Sequence, residues 1–195
     1  LIDASASMLA DSIVNVIRLR NMDPALQRSA DRLQRALNTV DWLTSQLPIN
    51  SQYQIIAFNT EAQPILSGTA GKWLEVADAP QLKAATEALR DRLPSGGTNL
   101  HGAFDAVGTL PGGPDNIFLI TDGLPTQSYE PPRRTTISGR DRLNLFRKAV
   151  QRLPSGVPVN IILAPMEGDP MAASEFWQLA QVSGGSFMSP SRDWP

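Results

Sequence analysis

The chain has 195 residues, of which 42 % are hydrophobic and 18 % charged, and 17 basic against 19 acidic side chains give a formal net charge of −2. This balance predicts one globular domain, 1–195, with a sizeable core, and the lack of a basic excess argues against nucleic acid as the main partner. Because there is no cysteine and a single histidine, disulfides, thiolate metal sites and sites with two imidazoles are excluded.

The first residues, Leu1-Ile2-Asp3, have the pattern of the end of a buried strand, so we expect the chain to start inside a longer strand. No apolar run approaches the roughly 18 residues that span a bilayer, and none of this fragment is expected to be a membrane segment. The compartment stays open, because a bacterial cell envelope, an anchor before Leu1 or a cytoplasmic location all fit a cysteine-free chain.

Several short apolar runs predict β-strands. Three of them are typical of strands covered on both faces. These are Tyr53–Phe58, Ile117–Thr121 and Val157–Leu163, and Ser186–Met188 is a last short candidate. Ala62–Leu66 follows the first run too closely for a helical crossover, so we expect an antiparallel edge strand, where Pro64 is tolerated.

Apolar stripes at helical spacing lie between these runs. They cover Leu26–Leu47, Leu82–Leu93, Leu100–Leu110, Leu143–Leu153 and Phe176–Ser183, with an extra short helix expected within Leu9–Met22. Asp23 and Pro24 are suited to the N-cap and first turn of the first stripe, and the charged face of Gln27–Arg35 is expected to be solvated. Strands that alternate with helices predict an α/β fold. We expect a Rossmann-like, doubly wound and mostly parallel sheet with one antiparallel edge strand and helices on both faces.

Oxygen-bearing side chains follow the predicted strand ends, where open parallel sheets bind ligands. They are Asp3, Ser5 and Ser7 after the first strand, Thr98 in the loop that opens the third stripe, and Asp122 after Ile117–Thr121. Alternate residues of an extended turn can point to one side. Two carboxylates and three hydroxyls suit a hard divalent cation. We expect Mg²⁺ in the first place, with Mn²⁺ or Ca²⁺ as alternative ions.

This set resembles a known metal site. Asp3-x-Ser5-x-Ser7, Thr98 within Gly-Gly-Thr-Asn and Asp122 within Thr-Asp-Gly are similar to the metal-ion-dependent adhesion site of von Willebrand factor A domains. The resemblance covers nearly the whole chain and implies that Ser5, Ser7 and Thr98 bind the metal through their hydroxyls. It also implies that Asp3 and Asp122 act mostly through water and hydrogen bonds.

Two residues close to this set need separate mention. Ala6 stands where the family commonly has glycine, and alanine would cost about 1 kcal/mol if that position required a positive φ. His101, on the helix that the Thr98 loop opens, is expected to be a surface or loop-packing residue, because nothing around it supplies a nucleophile and an orienting group.

The expected function is metal-dependent binding of a protein, in which a partner's Asp or Glu carboxylate replaces a water on the ion. We expect no enzyme, and the fragment alone to be a monomer. The alternative is a Mg²⁺-dependent phosphohydrolase of the haloacid dehalogenase type. That class also needs a carboxylate where this chain has Ser5, and a lysine near the metal. The lysines, Lys72, Lys83 and Lys148, fall in helical or edge segments instead.

Two segments exceed what the alternation of strands and helices requires, Leu9–Met22 and Leu124–Arg140. Both leave from strand ends that carry candidate ligands, so we expect both on the metal face. The second contains Tyr129, Pro131, Pro132, Arg133 and Arg134, an aromatic and basic set suited to an acidic partner segment. The alternative is that the segments only cover the edge of the sheet.

Overall fold

The computed structural model describes residues 1–130, 136–191 and 194. Its strands are β1 Ile2–Asp3, β2 Gln52–Tyr53, β3 Ile56–Phe58, β4 Ala62–Pro64, β5 Leu74–Glu75, β6 Ile117–Thr121, β7 Val159–Leu163 and β8 Phe187–Met188. Within the described residues, six of them form one sheet in the order β4-β3-β1-β6-β7-β8. All neighbours in this sheet are parallel except β4, which pairs antiparallel with β3 at the edge. The predicted fold class is therefore confirmed.

The predicted strand Tyr53–Phe58 is interrupted at Gln54 and Ile55, so this prediction is wrong in its extent. The Gln54 side chain donates to the carbonyls of Thr69 and Lys72, at 3.0 and 2.8 Å, and accepts the Ile55 N–H at 3.0 Å. These bonds direct the preceding residues away from the main sheet. As a result β2 pairs with β5 in a separate antiparallel ladder that the sequence pattern did not predict.

The helices are α1 Ile13–Arg20, α2 Pro24–Arg28, α3 Asp31–Ser45, α4 Ala79–Asp91, α5 Leu100–Gly108, α6 Gly139–Val150 and α7 Ala172–Ser183, with a 3₁₀ helix at Ala6–Leu9. The extra short helix expected after Leu9 is α1. Asp23 caps α2 and Pro24 occupies its first turn, as predicted. The stripe Leu26–Leu47 is two helices rather than one. The Ser29 hydroxyl donates to the Leu26 carbonyl at the end of α2, and Ala30 is extended, with ψ 124°, before α3 begins.

Helices cover both faces of the sheet. Ile120 and Ile162 pack into a core that includes apolar residues of α3 and α4. Leu119 and Ile161, one residue along on the same strands, pack into a second core with residues of α5, α6 and α7. Burial on both sides explains why β6 and β7 are apolar without alternation. No helix in the described part has the length and apolar character that crossing a membrane requires.

The order of the strands reverses between β1 and β6. From β1 the chain extends to β3 and β4 on one side, and from β6 it extends to β7 and β8 on the other. Ile2 pairs with Ile120, which brings the carboxyl ends of β1 and β6 next to each other. A crevice at such a reversal is the common ligand position of doubly wound sheets.

A close backbone approach before β8 generates a prediction on stability. A Cβ on Gly185 would lie 2.1 Å from the carbonyl oxygen of Val159 in β7. We expect Gly185→Ala to lower the free energy of unfolding by at least about 2 kcal/mol, because a backbone group cannot move aside cheaply. Urea unfolding measures this. Gly139→Ala is the control, since a Cβ there meets nothing within 4 Å and the change is expected to be neutral or stabilising. Wild-type stability of Gly185→Ala would contradict the observed packing.

Candidate functional site

The Asp3 carboxylate lies buried at the end of β1 and joins this strand to β6. Its Oδ1 accepts the N–H of Ser5 at 2.8 Å, and its Oδ2 accepts the hydroxyl of Thr121 at 2.8 Å. Both oxygens are thus bonded to the protein itself. Asp3 shapes the turn that follows it, which presents the two serines.

Ser5, Ser7 and Asp122 come together next to Asp3. The hydroxyls of Ser5 and Ser7 are hydrogen-bonded to each other at 3.0 Å, and Ser7 lies near enough to the Asp122 carboxyl to lower its pKa. Asp122 is buried, and among the described residues no hydrogen-bond donor reaches its Oδ2. The structure therefore brings together a pair of hydroxyls and a carboxylate oxygen with a free lone pair.

The loop that carries Thr98 is bonded to the serine turn. The N–H of Ser95 donates to the carbonyl of Ala4 at 2.9 Å, and the N–H of Ala6 donates to the carbonyl of Gly96 at 3.1 Å. No described residue other than glycine has a positive φ, so Ala6 carries no strain of that kind. The cost considered for alanine at this position does not arise.

Thr98 itself is buried and fixed from its other side by the segment after Leu124. The hydroxyl of Thr126 accepts the Thr98 N–H at 2.9 Å, and the Thr98 carbonyl accepts the N–H groups of Thr126 and Gln127 at 3.0 and 3.2 Å. A Cβ on Gly97 would lie 2.6 Å from the Thr126 hydroxyl, so this approach requires glycine. The start of the segment 124–140 thus belongs to the site, whereas Pro131, Pro132, Arg133 and Arg134 lie outside the described residues.

The two carboxylates interact unfavourably. Burial, and secondarily the charge of Asp122, raises the pKa of Asp3 to about 7, against lowering contributions from its hydrogen bonds to Ser5 and Thr121. Burial also raises the pKa of Asp122, which the positive charge of Arg32 partly offsets. A site with two poorly solvated carboxylates favours a bound cation.

Arg32 is a site residue that the sequence pattern missed. It lies in the segment expected to be solvated, yet its side chain is only 4 % exposed. Its guanidinium donates to the carbonyls of Ala164 and Pro165, and its Nη2 is 3.7 Å from Asp122 Oδ2. The expectation of a wholly solvated face for Gln27–Arg35 is therefore wrong, because the first turn of α3 faces the loop after β7.

Asp169 and Arg142 hold the turn that follows Asp122, and spacing alone did not indicate them either. Asp169 Oδ2 accepts the Leu124 N–H at 2.7 Å and lies 2.7 Å from Arg142 Nη2, while Arg142 Nε donates to the Leu124 carbonyl at 3.1 Å. A Cβ on Gly123 would lie 2.6 Å from Asp169 Oδ2. The turn is therefore closed around a glycine, and this fixes the position of the neighbouring Asp122.

The donor set fits a hard cation that accepts hydroxyl ligands. No cluster of three or more His, Cys, Asp and Glu side chains suited to a metal occurs in the described part of the chain. Two oxygens at adjacent positions of octahedral Mg²⁺ lie about 3 Å apart, since each Mg–O distance is about 2.1 Å. The Ser5 and Ser7 hydroxyls form a hydrogen bond of 3.0 Å with each other, so they would need little change of spacing to hold such an ion.

Features of a phosphohydrolase are not found at these positions. Ser5, where that class has a carboxylate, donates its N–H to Asp3. All three lysines are exposed; Lys72 bonds to the Gly68 carbonyl and Lys83 pairs with Glu87. His101 is buried and packs edge-to-face against Tyr129 with ring centroids 6.1 Å apart, which agrees with the loop-packing alternative.

Residues 1–124 match the model of the von Willebrand factor type A domain. The chain belongs to this family. Domains of the family are generally protein-interaction modules. The match includes all five candidate ligands, from Asp3 to Asp122. Comparison with curated proteins gives no match.

Three solved structures at low sequence identity share the fold. A von Willebrand factor type A protein from Catenulispora acidiphila has a TM-score of 0.65 at 18 % identity, over 98 % of this chain and 38 % of that one. A mutant of the PilB minor pilin from Streptococcus sanguinis has a TM-score of 0.58 at 13 % identity, over 98 % of this chain and 56 % of that one. BatB from Bacteroides thetaiotaomicron has a TM-score of 0.52 at 18 % identity, over 96 % of this chain and 86 % of that one. The chain thus spans less than two thirds of the length of the first two proteins.

The raised pKa of Asp3 generates a prediction on pH. Because the folded state keeps this proton up to about pH 7 while the unfolded chain releases it near 3.8, raising the pH from 5 to 8 should destabilise the metal-free domain. In Asp3→Asn this contribution is absent, so the mutant should gain about 1 to 3 kcal/mol relative to wild type between pH 5 and 8. Urea unfolding in a chelator measures both proteins, and the comparison cancels the titrating groups that do not interact with Asp3. Parallel pH profiles would contradict the assignment.

Proposed function

We propose that this VWA domain binds a partner protein through a Mg²⁺ ion held at a site of the metal-ion-dependent adhesion type. Ser5, Ser7 and Thr98 would hold the ion through their hydroxyls. The observation that carries the proposal is the pair of serine oxygens 3.0 Å apart beside a buried Asp122 oxygen that no donor reaches in the described structure. Mn²⁺ or Ca²⁺ are alternative ions for the same oxygens.

The two aspartates have different roles in this proposal. Asp3 already accepts two hydrogen bonds, so it orients the Ser5 backbone and the Thr121 hydroxyl rather than binding the ion. Asp122 keeps the lone pairs of Oδ2 available, and this oxygen suits a hydrogen bond from a water on the ion. Both carboxylates contribute negative charge to a poorly solvated site, which favours a cation.

Neutral hydroxyls explain why such a site would bind a carboxylate. A bound Mg²⁺ supplies a coordination position and positive charge that its three hydroxyl ligands do not neutralise. The carboxylate of an Asp or Glu of the partner can occupy this coordination position and offset this charge. Ser5 is buried and Ser7 is partly exposed, so the site opens to the outside on the Ser7 side.

Selectivity for the partner would come from the surface around the ion. The helix α1 follows the 3₁₀ helix that contains Ser7. The inner side of α1 carries Val16, which packs against Ala6 and Ala10. Its outer side exposes Ile13, Val14 and Ile17 to 57, 76 and 51 %. We propose that apolar residues next to the partner's carboxylate contact this side of α1.

Metal binding is tested by thermal unfolding. Mg²⁺ or Mn²⁺ at about one hundred times the dissociation constant should stabilise the domain by about 2.7 kcal/mol, or roughly 5 to 10 °C in Tm. Ser5→Ala and Asp122→Ala should lose this response. Ser45→Ala is the control, since its exposed hydroxyl donates to the Trp42 carbonyl and accepts from the Gln46 side chain, both outside the site. A domain whose Tm responds to neither Mg²⁺ nor Mn²⁺ would contradict the metal site.

The partner surface is tested with two exposed apolar residues of α1. Val14→Ser together with Ile17→Ser should leave the Mg²⁺-dependent Tm increase unchanged and lower the amount of protein captured from an extract of the source organism at least about tenfold. Capture is compared in Mg²⁺ and in EDTA. Val182→Ser is the control, because this valine is 82 % exposed near the end of α7. Equal capture by the double mutant would exclude α1 from the interface.

A further inference from the structure

Arg32 forms an unusual pair with Asp122. Both side chains are only 4 % exposed, and Arg32 Nη2 lies 3.7 Å from Asp122 Oδ2. This distance is too long for a hydrogen bond, whereas charged Arg–carboxylate pairs normally make short and often bidentate bonds of about 2.7 to 2.9 Å. The two groups therefore interact through their charges and not through a shared proton.

The guanidinium is fixed in this position by other groups. It donates to the carbonyls of Ala164 and Pro165. These carbonyls belong to a loop that is itself bonded to the end of β6, since the Ala164 N–H donates to the Thr121 carbonyl at 2.9 Å and the Met166 N–H donates to the Asp122 carbonyl at 3.1 Å. The positive charge is thus held at a set distance from Asp122 by the same backbone that positions the carboxylate.

One consequence is that Asp122 is partly neutralised while its oxygen remains available. Among the described residues, neither Asp122 Oδ2 nor Arg32 Nε has a hydrogen-bond partner. A direct bond between them would have used one of the two lone pairs of Oδ2, the oxygen that the proposed metal site needs. The observed spacing keeps the charge compensation and leaves the lone pair free.

We propose that Arg32 sets the charge of the metal site and thereby makes it selective for an anionic partner group. This inference rests on the proposed function. With both carboxylates ionised, the buried side chains Asp3, Asp122 and Arg32 carry one net negative charge. A divalent cation changes this to one net positive charge, and one carboxylate from a partner then makes the site neutral. Without Arg32, the loaded site would already be neutral before the partner arrives.

Arg32 therefore has opposite effects on the two binding steps. Its charge repels the metal ion, so it weakens metal binding. The same charge attracts a carboxylate to the loaded site, so it strengthens the second step. A merely structural arginine would change neither affinity.

The test compares Arg32→Gln with Arg28→Gln, which removes an exposed charge from the neighbouring helix α2. Isothermal titration measures Mn²⁺ affinity, and the relaxation rate of water protons measures how much acetate displaces water from the Mn²⁺-loaded domain. We expect Arg32→Gln to bind Mn²⁺ about tenfold or more tightly than wild type and to need several times more acetate. Arg28→Gln should match wild type in both within about twofold.

Arg32→Lys separates charge from packing and remains informative if Arg32→Gln does not fold in a chelator. It loses bonds to Ala164 and Pro165 but keeps the charge, so its Tm should fall while its Mn²⁺ affinity stays within about threefold of wild type. Unchanged Mn²⁺ affinity in Arg32→Gln, or equal tightening in Arg32→Lys, would overturn the role of Arg32. Wild-type protein that binds no Mn²⁺ would instead contradict the metal site itself.

Discussion

The close approach of two buried carboxylates, Asp3 and Asp122, is the constraint on which the candidate site depends. It follows from the pairing of β1 with β6, which places one acidic side chain after each of two adjacent strands. Neither carboxylate is exposed enough for water to screen it, and burial raises the pKa of both. The surrounding groups either bond to these oxygens or offset their charge. Thr121 and the Ser5 backbone do the first for Asp3, and Arg32 does the second for Asp122.

The turns around these carboxylates are held by backbone contacts as much as by side chains. Ser95 and Gly96 bond to the Ala4–Ala6 backbone, and Thr126 bonds to both sides of the Thr98 peptide. Glycine is required at 97 and 123, where a Cβ would meet the Thr126 hydroxyl or the Asp169 carboxylate. Loops joined in this way keep their shape on a rigid sheet. The backbone thus fixes the oxygens of the candidate site, so that a ligand would not have to order them.

Much of the architecture could be predicted from local patterns, because apolar runs and helical stripes report burial directly. The strand Ile117–Thr121 has the predicted bounds, and the edge strand with Pro64 pairs antiparallel as expected. The errors fall where side chains compete with regular backbone bonding. Gln54 interrupts a strand by bonding to a distant loop, and Ser29 ends a helix whose apolar stripe continues beyond it. Neither competition is visible in hydrophobic periodicity.

The sequence alone determined which oxygens are candidates, because strand ends in a doubly wound sheet meet at one edge and Asp3, Ser5, Ser7, Thr98 and Asp122 all follow such ends or the adjoining loop. Only the tertiary structure decided how their charges are balanced. Arg32 and Asp169 approach this edge from a helix and a loop that are far from Asp122 in the chain, and their spacing carries no sign of it. The periodicity of hydrophobic residues indicates which face of a helix or strand is buried. It does not indicate which charged side chain becomes buried under a neighbouring element, because this burial depends on how the elements pack.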